Sequence, residues 1–289
     1  SGAVSNAFRY IRDQKGFIAI TDVNWPNYFV ILGVNGVPYK KYERFTEDGS
    51  FNFEALEATI ENGLKEYPSV LVVLNDPCHN PTGYCFKEEE YLKLFSILNK
   101  YEGRVTLLLD IAYADYAPMG FIFPRIYEEQ KANFPTFIAF STSKCFGLYG
   151  MRLGGFISIS DKDITHELYE FARSIYSCPN NGAMGPVAEL LANDELRNNL
   201  KSEIKDENDR LKEVGFKVTA ILDELGIEHF PYSGGFFVTM KHKNAYATCE
   251  TLEDNNCFLA PIGDDYIRIA VCSLRLDELD KLKEALKSI

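Results

Sequence analysis

Val105-Thr-Leu-Leu-Leu-Asp110-Ile-Ala-Tyr113 is a run of branched apolar residues that ends on an acid. Its residues from Val105 to Leu109 are apolar on both alternating faces, as expected of a strand in a sheet covered on both sides. Working outward, similar runs recur at Phe17 to Ile20, Phe29 to Leu32, Val70 to Leu74, Phe137 to Phe140 and Phe156 to Ile159. Helix-like stretches lie between several of them: Phe53, Leu56, Ile60 and Leu64 share one face, as do Tyr91, Leu94, Phe95 and Leu98. Alternating strands and helices define an α/β fold with a mostly parallel central sheet.

From about Gly185 the texture changes to a long, highly charged helical stretch reaching about Leu225. A strand around Phe236 to Met240, a helix near Ala245 to Glu253, a strand at Tyr266 to Val271 and a final helix from Leu276 to Ser288 follow. Strand-and-helix pairs of this kind suggest a smaller α+β C-terminal domain. The expected division is 1–200 for the large domain and 201–289 for the small one.

The chain has 289 residues, 46% hydrophobic and 25% charged, with a formal net charge of -12. That acidity argues against a nucleic-acid or anionic-membrane surface. No apolar run approaches the ~20 residues needed to span a bilayer. Ser1 to Arg12 carry no secretory pattern, so a soluble, cytoplasmic protein is expected. Seven cysteines are scattered without any C-x-x-C pair, which favours unbridged thiols over disulfides or zinc.

Three segments carry chemistry. Phe140-Ser-Thr-Ser-Lys144-Cys-Phe-Gly-Leu-Tyr149-Gly-Met-Arg152-Leu-Gly154 surrounds one amine with small hydroxyls, glycines and an arginine. Hydroxyls and a guanidinium are good phosphate donors, and an amine beside an aldehyde forms a Schiff base. A solvated loop lysine is the plain alternative. Asp110, at the end of its strand, faces the crevice where open α/β sheets bind ligands. Buried there it needs a cation, which a protonated pyridine nitrogen would supply; a helix cap or a structural ion pair would also explain it. Asn75-Asp-Pro-Cys-His79-Asn80-Pro81-Thr82-Gly83 is a turn after another strand, either a simple connection or a source of a polar contact from Asn80. His79 is assigned no role.

In order and in detail these segments resemble the fold-type I, class I aminotransferases, especially the aspartate and aromatic amino acid aminotransferases. The resemblance implies a three-layer large domain, pyridoxal 5'-phosphate as cofactor, and amino-group transfer between an amino acid and a 2-oxo acid. It implies that Lys144 forms the Schiff base and moves the α-proton, that Asp110 pairs with the pyridinium, and that Tyr113 and Asn80 hydrogen-bond the ring oxygen. Ser141, Ser143 and Arg152 would hold the phosphate. Trp25, within Asn24-Trp-Pro-Asn27, would stack on the cofactor, although a core tryptophan is the other reading. Arg268, within Tyr266-Ile-Arg-Ile-Ala-Val-Cys272, would clamp the substrate α-carboxylate, unless it points outward from an edge strand. Arg173, otherwise a surface arginine on a helix, would serve the distal carboxylate in the neighbouring subunit of a homodimer. Ser1-Gly-Ala-Val4 resembles the end of a phosphate-binding glycine-rich turn, making Ser1 a further phosphate ligand.

By the same resemblance the chain lacks roughly the first hundred residues of the family, which would leave the site open and weaken the dimer interface. The alternatives are therefore a same-fold C-S (β) lyase, a ligand-sensing module, or an inactive truncated fragment that only dimerises.

Overall fold

The structure is a computed structural model, which describes residues 1–130 and 132–289. It divides into two units. Unit 1 comprises Ser1–Asp76, Phe86–Ala114 and Phe121–Lys201; unit 2 comprises Pro77–Cys85, Asp115–Gly120 and Ser202–Ile289. The late change of unit falls between Lys201 and Ser202. Two short segments from the first half of the chain, 77–85 and 115–120, belong to unit 2, which a single boundary near residue 200 does not convey.

Unit 1 is built on a six-stranded sheet of β1 (Phe17–Thr21), β2 (Tyr39–Tyr42), β3 (Val70–Asn75), β4 (Val105–Asp110), β5 (Thr136–Ser141) and β6 (Gly154–Ile159), in the order β2-β1-β3-β4-β5-β6. Pairings from β2 through β5 are parallel, and β6 joins β5 antiparallel. Strands β1, β3 and β4 are buried at every position, as their two-faced apolar sequences require.

One face of this sheet is covered by α1 (Gly2–Asp13), α2 (Asn27–Asn35) and α7 (Lys162–Tyr176). Val4, Ala7, Phe8 and Ile11 of α1 share a core with Ile31 and Leu32 of α2, Leu168 of α7 and the strand residues Ile18, Ile20, Leu71, Val73, Leu108 and Phe137. The other face carries α3 (Phe53–Gly63), α4 (Glu88–Leu98) and α5 (Phe123–Glu129). Gly63 lies so close to Phe17 of β1 that a Cβ would sit 1.9 Å from its ring, which fixes glycine at the end of α3. Phe95 and Tyr91 of α4 pack against Phe123 of α5, edge to face. Helices on both sides of a mostly parallel sheet make this an α/β unit of three layers.

The sequence reading errs at Phe29 to Leu32, which is not a strand. These residues lie in α2, between Pro26 at its N-cap and the left-handed Gly36 (φ 62°) at its C-cap. Strand β2 goes unforeseen because Tyr-Lys-Lys-Tyr is an exposed edge sequence rather than an apolar run. The charged stretch after Gly185 is two helices, α8 (Asn181–Ala192) and α9 (Asp194–Leu225). They meet at an extended Asn193 whose side chain accepts from the Glu195 and Leu196 N–H groups and so caps α9. The remaining short helix, α6, is Thr142–Cys145.

In unit 2, β7 (Phe237–Lys241), β8 (Ala260–Ile262) and β9 (Tyr266–Ala270) form an antiparallel sheet in the order β7-β9-β8. Leu211, Val214, Val218 and Leu222 recur at helical spacing along α9 and are buried, as are Leu252 of α10 (Ala245–Asp254) and Leu282 of α11 (Leu279–Leu286). Gly215 admits the Tyr232 ring, whose hydroxyl donates to the Leu211 and Gly235 carbonyls at 3.1 and 2.9 Å.

Candidate functional site

Asp110 ends β4 in register with Asn75 of β3 and Ala139 of β5, at the carboxyl edge of the parallel strands. Asn75 Nδ2 donates to the Asp110 carbonyl at 2.9 Å, which holds the strand end. The carboxylate accepts from the Tyr28 hydroxyl at 2.7 Å and from the Ala112 N–H at 3.2 Å. Burial raises its pKa, and those two bonds pull it back. Tyr28 is itself fully buried, and Trp25, half-buried, meets its ring edge to face with centroids 5.3 Å apart. A tyrosine on α2 thus orients the acid. The sequence signal for it was the Pro26 and Gly36 pair that brackets the helix.

The lysine segment turns back sharply after β5. Ser141 caps α6 by accepting from the Ser143 N–H at 3.2 Å, and both the N–H and the hydroxyl of Thr142 donate to the Leu153 carbonyl, at 3.2 and 2.9 Å. Gly154 allows this return, because a Cβ there would lie 2.6 Å from the Phe140 carbonyl oxygen. Cys145 donates to the carbonyl of Ala112 at 3.5 Å, tying the turn to the residues that follow Asp110. Lys144 is half-buried with its ammonium 4.1 Å above the Tyr149 ring. Arg152 adopts a left-handed backbone (φ 52°), is exposed, and donates to the Tyr149 carbonyl at 2.8 Å. Ser1 lies near enough to Asp110 and Arg152 to interact with both electrostatically. Tyr113 is buried and close enough to act electrostatically on Tyr28. Ser1, Trp25, Asp110, Tyr113, Ser141, Ser143, Lys144 and Arg152 all belong to unit 1.

Arg173 belongs to unit 1 as well, but its bond runs to the Tyr169 hydroxyl at 3.1 Å, one turn earlier on an exposed stretch of α7, and not to any of these residues.

Unit 2 holds a second cluster. Arg268 lies on β9, the central strand of its sheet rather than an edge, and donates to Asn80 Oδ1 at 2.9 Å with its guanidinium 4.3 Å over the Phe237 ring. The aromatic face and the amide oxygen fix the fork's orientation. Asn80 sits in a braced turn with a cis Asn80–Pro81 peptide. Thr239 donates to the Pro81 carbonyl at 2.6 Å, and the Ser233 and Gly234 N–H groups donate to the Gly83 carbonyl at 2.9 and 3.1 Å. His79 pairs with the Thr82 hydroxyl at 2.8 Å within this turn, a structural use. Neither Phe237 nor the Asn80–Arg268 pairing is visible in a linear reading.

No helix of the described residues is long and apolar enough to cross a membrane.

A buried acid at the strand ends beside a lysine-bearing turn, with a separate arginine–asparagine pair, is a pattern that can be matched to known proteins. The family model for aminotransferase class I and II matches residues 1–286, and the chain belongs to that family. It is 30% identical over 223 residues to an aromatic-amino-acid aminotransferase of Paracoccus denitrificans, covering 71% of this chain and 53% of that protein. It is 27% identical over 206 residues to an aspartate aminotransferase of Pseudomonas aeruginosa, covering 68% and 50%. The chain therefore spans about half the length of these relatives. Among solved structures, an aminotransferase from Anaerococcus prevotii superposes with a TM-score of 0.87 at 27% identity, over 99% of this chain and 73% of that one. An aromatic-amino-acid aminotransferase from Burkholderia pseudomallei, covalently bound to pyridoxal phosphate, superposes with a TM-score of 0.80 at 26% identity, over 99% and 72%.

Proposed function

We propose that the chain binds pyridoxal 5'-phosphate through Lys144 and transfers an amino group between an amino acid and a 2-oxo acid. The observation that carries this reading is Asp110, a buried carboxylate at the end of β4 oriented by Tyr28, with the lysine turn tethered beside it through Cys145 and Ala112. The donor set suits the cofactor. A desolvated acid favours a cationic partner such as a protonated pyridine nitrogen, and hydroxyls with a guanidinium suit a phosphate. When bound, the cofactor supplies an aldehyde that condenses with amines and a protonated ring that withdraws electrons from the substrate's α-carbon.

The roles of the protein's own groups follow. Asp110 keeps the proton on the ring nitrogen. Lys144 Nζ would hold the cofactor and would take and return the substrate's α-proton. Tyr113 and Asn80 donate to the ring oxygen; accepting from Arg268 does not prevent Asn80 from donating, since an amide has both functions. Ser1, Ser141, Ser143 and Arg152 would take the phosphate, and Trp25 would cover the ring. Arg268 takes the substrate α-carboxylate bidentately.

We further propose a cytoplasmic homodimer acting on dicarboxylic or aromatic amino acids, with Arg173 serving the partner's site. Support comes from the exposed apolar residues Tyr149, Ile157, Ile175, Tyr176, Met184 and Leu191 in and around β6, α7 and α8. Light scattering on the eluting protein tests the dimer, and a monomer at working concentration refutes it.

The central claim is tested by mixing the chain with pyridoxal phosphate, reducing with borohydride and mapping the attached cofactor by mass spectrometry. Attachment at Lys144, lost in Lys144→Ala together with transamination, is expected. Attachment spread over surface lysines, or undiminished turnover by the variant, overturns the reading.

A further inference from the structure

We propose that Cys78 and Cys85 form an oxidisable dithiol, a site of reversible disulfide formation that closes a ring around the Asn80 turn. Nothing in their spacing announces this, since six residues separate them. The fold brings them together. Gly83 N–H donates to the His79 carbonyl at 2.7 Å and His79 N–H to the Tyr84 carbonyl at 2.8 Å, so the segment doubles back and returns residue 85 to residue 78. Cys78 N–H donates to Cys85 Sγ at 3.2 Å, and the two sulfurs lie 3.6 Å apart, with the Cys85 thiol donating to Cys78 Sγ.

The two sulfurs already face each other within van der Waals contact, in a segment held by its own backbone bonds. Bond formation therefore asks mainly for side-chain movement, bringing the sulfurs from 3.6 Å to a bond of about 2.05 Å. In making the bond Cys78 releases its contact to the Tyr116 carbonyl, 3.2 Å away. Its Cβ stays pinned beside Gly235, where an added Cβ would lie 2.4 Å from it. Residue 78 also has a left-handed backbone (φ 57°).

The exposures of the two thiols set their order of reaction. Cys78 is 1% exposed and Cys85 is half-buried, so Cys85 meets a solvent-borne oxidant first. With a small-molecule disulfide as oxidant, the Cys85 thiolate attacks one sulfur, forms a mixed disulfide and expels one thiolate. The Cys78 thiolate then attacks Cys85 Sγ and expels the second. Two protein thiols have given up two protons and two electrons, and the reagent has become two thiols. The ring so closed contains Asn80, whose Oδ1 meets Arg268.

The test uses the whole chain, reduced, desalted and equilibrated in buffers of increasing glutathione disulfide to glutathione ratio, then alkylated, digested and mapped by mass spectrometry. The expected result is a linked pair of peptides carrying Cys78 and Cys85, with a mass loss of two hydrogens, reversed by dithiothreitol. Cys78→Ser should arrest the reaction with glutathione held on Cys85. Alkylation of both wild-type thiols in the most oxidising buffer overturns the proposal, as does glutathione that remains on Cys85 in the wild type. The wild-type measurement stands whether or not the variant folds.

Discussion

Replacing Tyr28 with phenylalanine removes one hydroxyl from a fully buried ring packed against the rings of Phe8 and Trp25. That hydroxyl donates to Asp110 Oδ2 at 2.7 Å and opposes the upward pull of burial on the carboxyl pKa. A hydrogen bond to a charged group contributes about 1.5–3 kcal/mol, and one between neutral groups about 0.5–1.5 kcal/mol. The variant therefore loses about 1 kcal/mol more with Asp110 ionised than with it protonated, which raises the carboxyl pKa further. The sign follows from proton binding. A carboxyl raised in the folded state keeps a proton that the unfolded chain has already released, so its effect is to lower stability as pH climbs from the unfolded pKa through the folded one. Tyr28→Phe extends that window upward. Urea unfolding of both proteins from about pH 5 to about pH 8 reads the difference directly, since every other titrating group is common to the two and cancels. The stability deficit of Tyr28→Phe should grow with pH. A deficit that stays constant or shrinks refutes the assignment of the hydroxyl to the carboxylate.

Asp76 offers a second pH test. Burial pushes its carboxyl up to about 7, against donation from the Tyr91 hydroxyl and the Phe86 N–H and the charge of Arg44, so wild-type stability should fall between about pH 4 and pH 7. Asp76→Asn should flatten that fall by up to about 4 kcal/mol, and an unchanged pH profile counts against it. Arg268→Ala should cut kcat/KM for amino acid donors by at least about tenfold, mainly through KM, with Arg268→Lys between it and the wild type because it keeps charge without the fork; equal KM values would remove Arg268 from substrate binding. Gly235→Ala should cost at least about 1 kcal/mol, because φ is 83° and the new Cβ would meet Cys78; urea midpoints equal to wild type would contradict this.

What could be read from the sequence was mostly what is local or periodic. Seven of the eight strand expectations, runs of branched or aromatic residues bounded by turns, match β1, β3, β4, β5, β6, β7 and β9. Phe29 to Leu32 fails because a four-residue apolar run has no periodicity to separate helix from strand, so the flanking Pro26 and Gly36 should have decided it. That error hid Tyr28, which only a helix presents to Asp110. Asp110 and Lys144 stand out because acid and amine are costly beside apolar strands. The contacts that orient them, from Tyr28 across 82 residues and from Cys145 across 33, depend on which strands become neighbours, and no local pattern encodes that. The Cys78–Cys85 approach escapes for the opposite reason. It is local, but it depends on the exact path of a turn.

Unit 2 is not contiguous along the chain, and this bears on the order in which it is assembled. The turn at 77–85 leaves the ribosome long before its partners, since Thr239 reaches Pro81 across 158 residues and Arg268 reaches Asn80 across 188. During synthesis the nascent turn must wait, held between β3 and α4, until β7 and then β9 emerge. Closing such distant contacts is entropically slow, so β7 and β9 complete a structure begun by a turn made well over a hundred residues earlier.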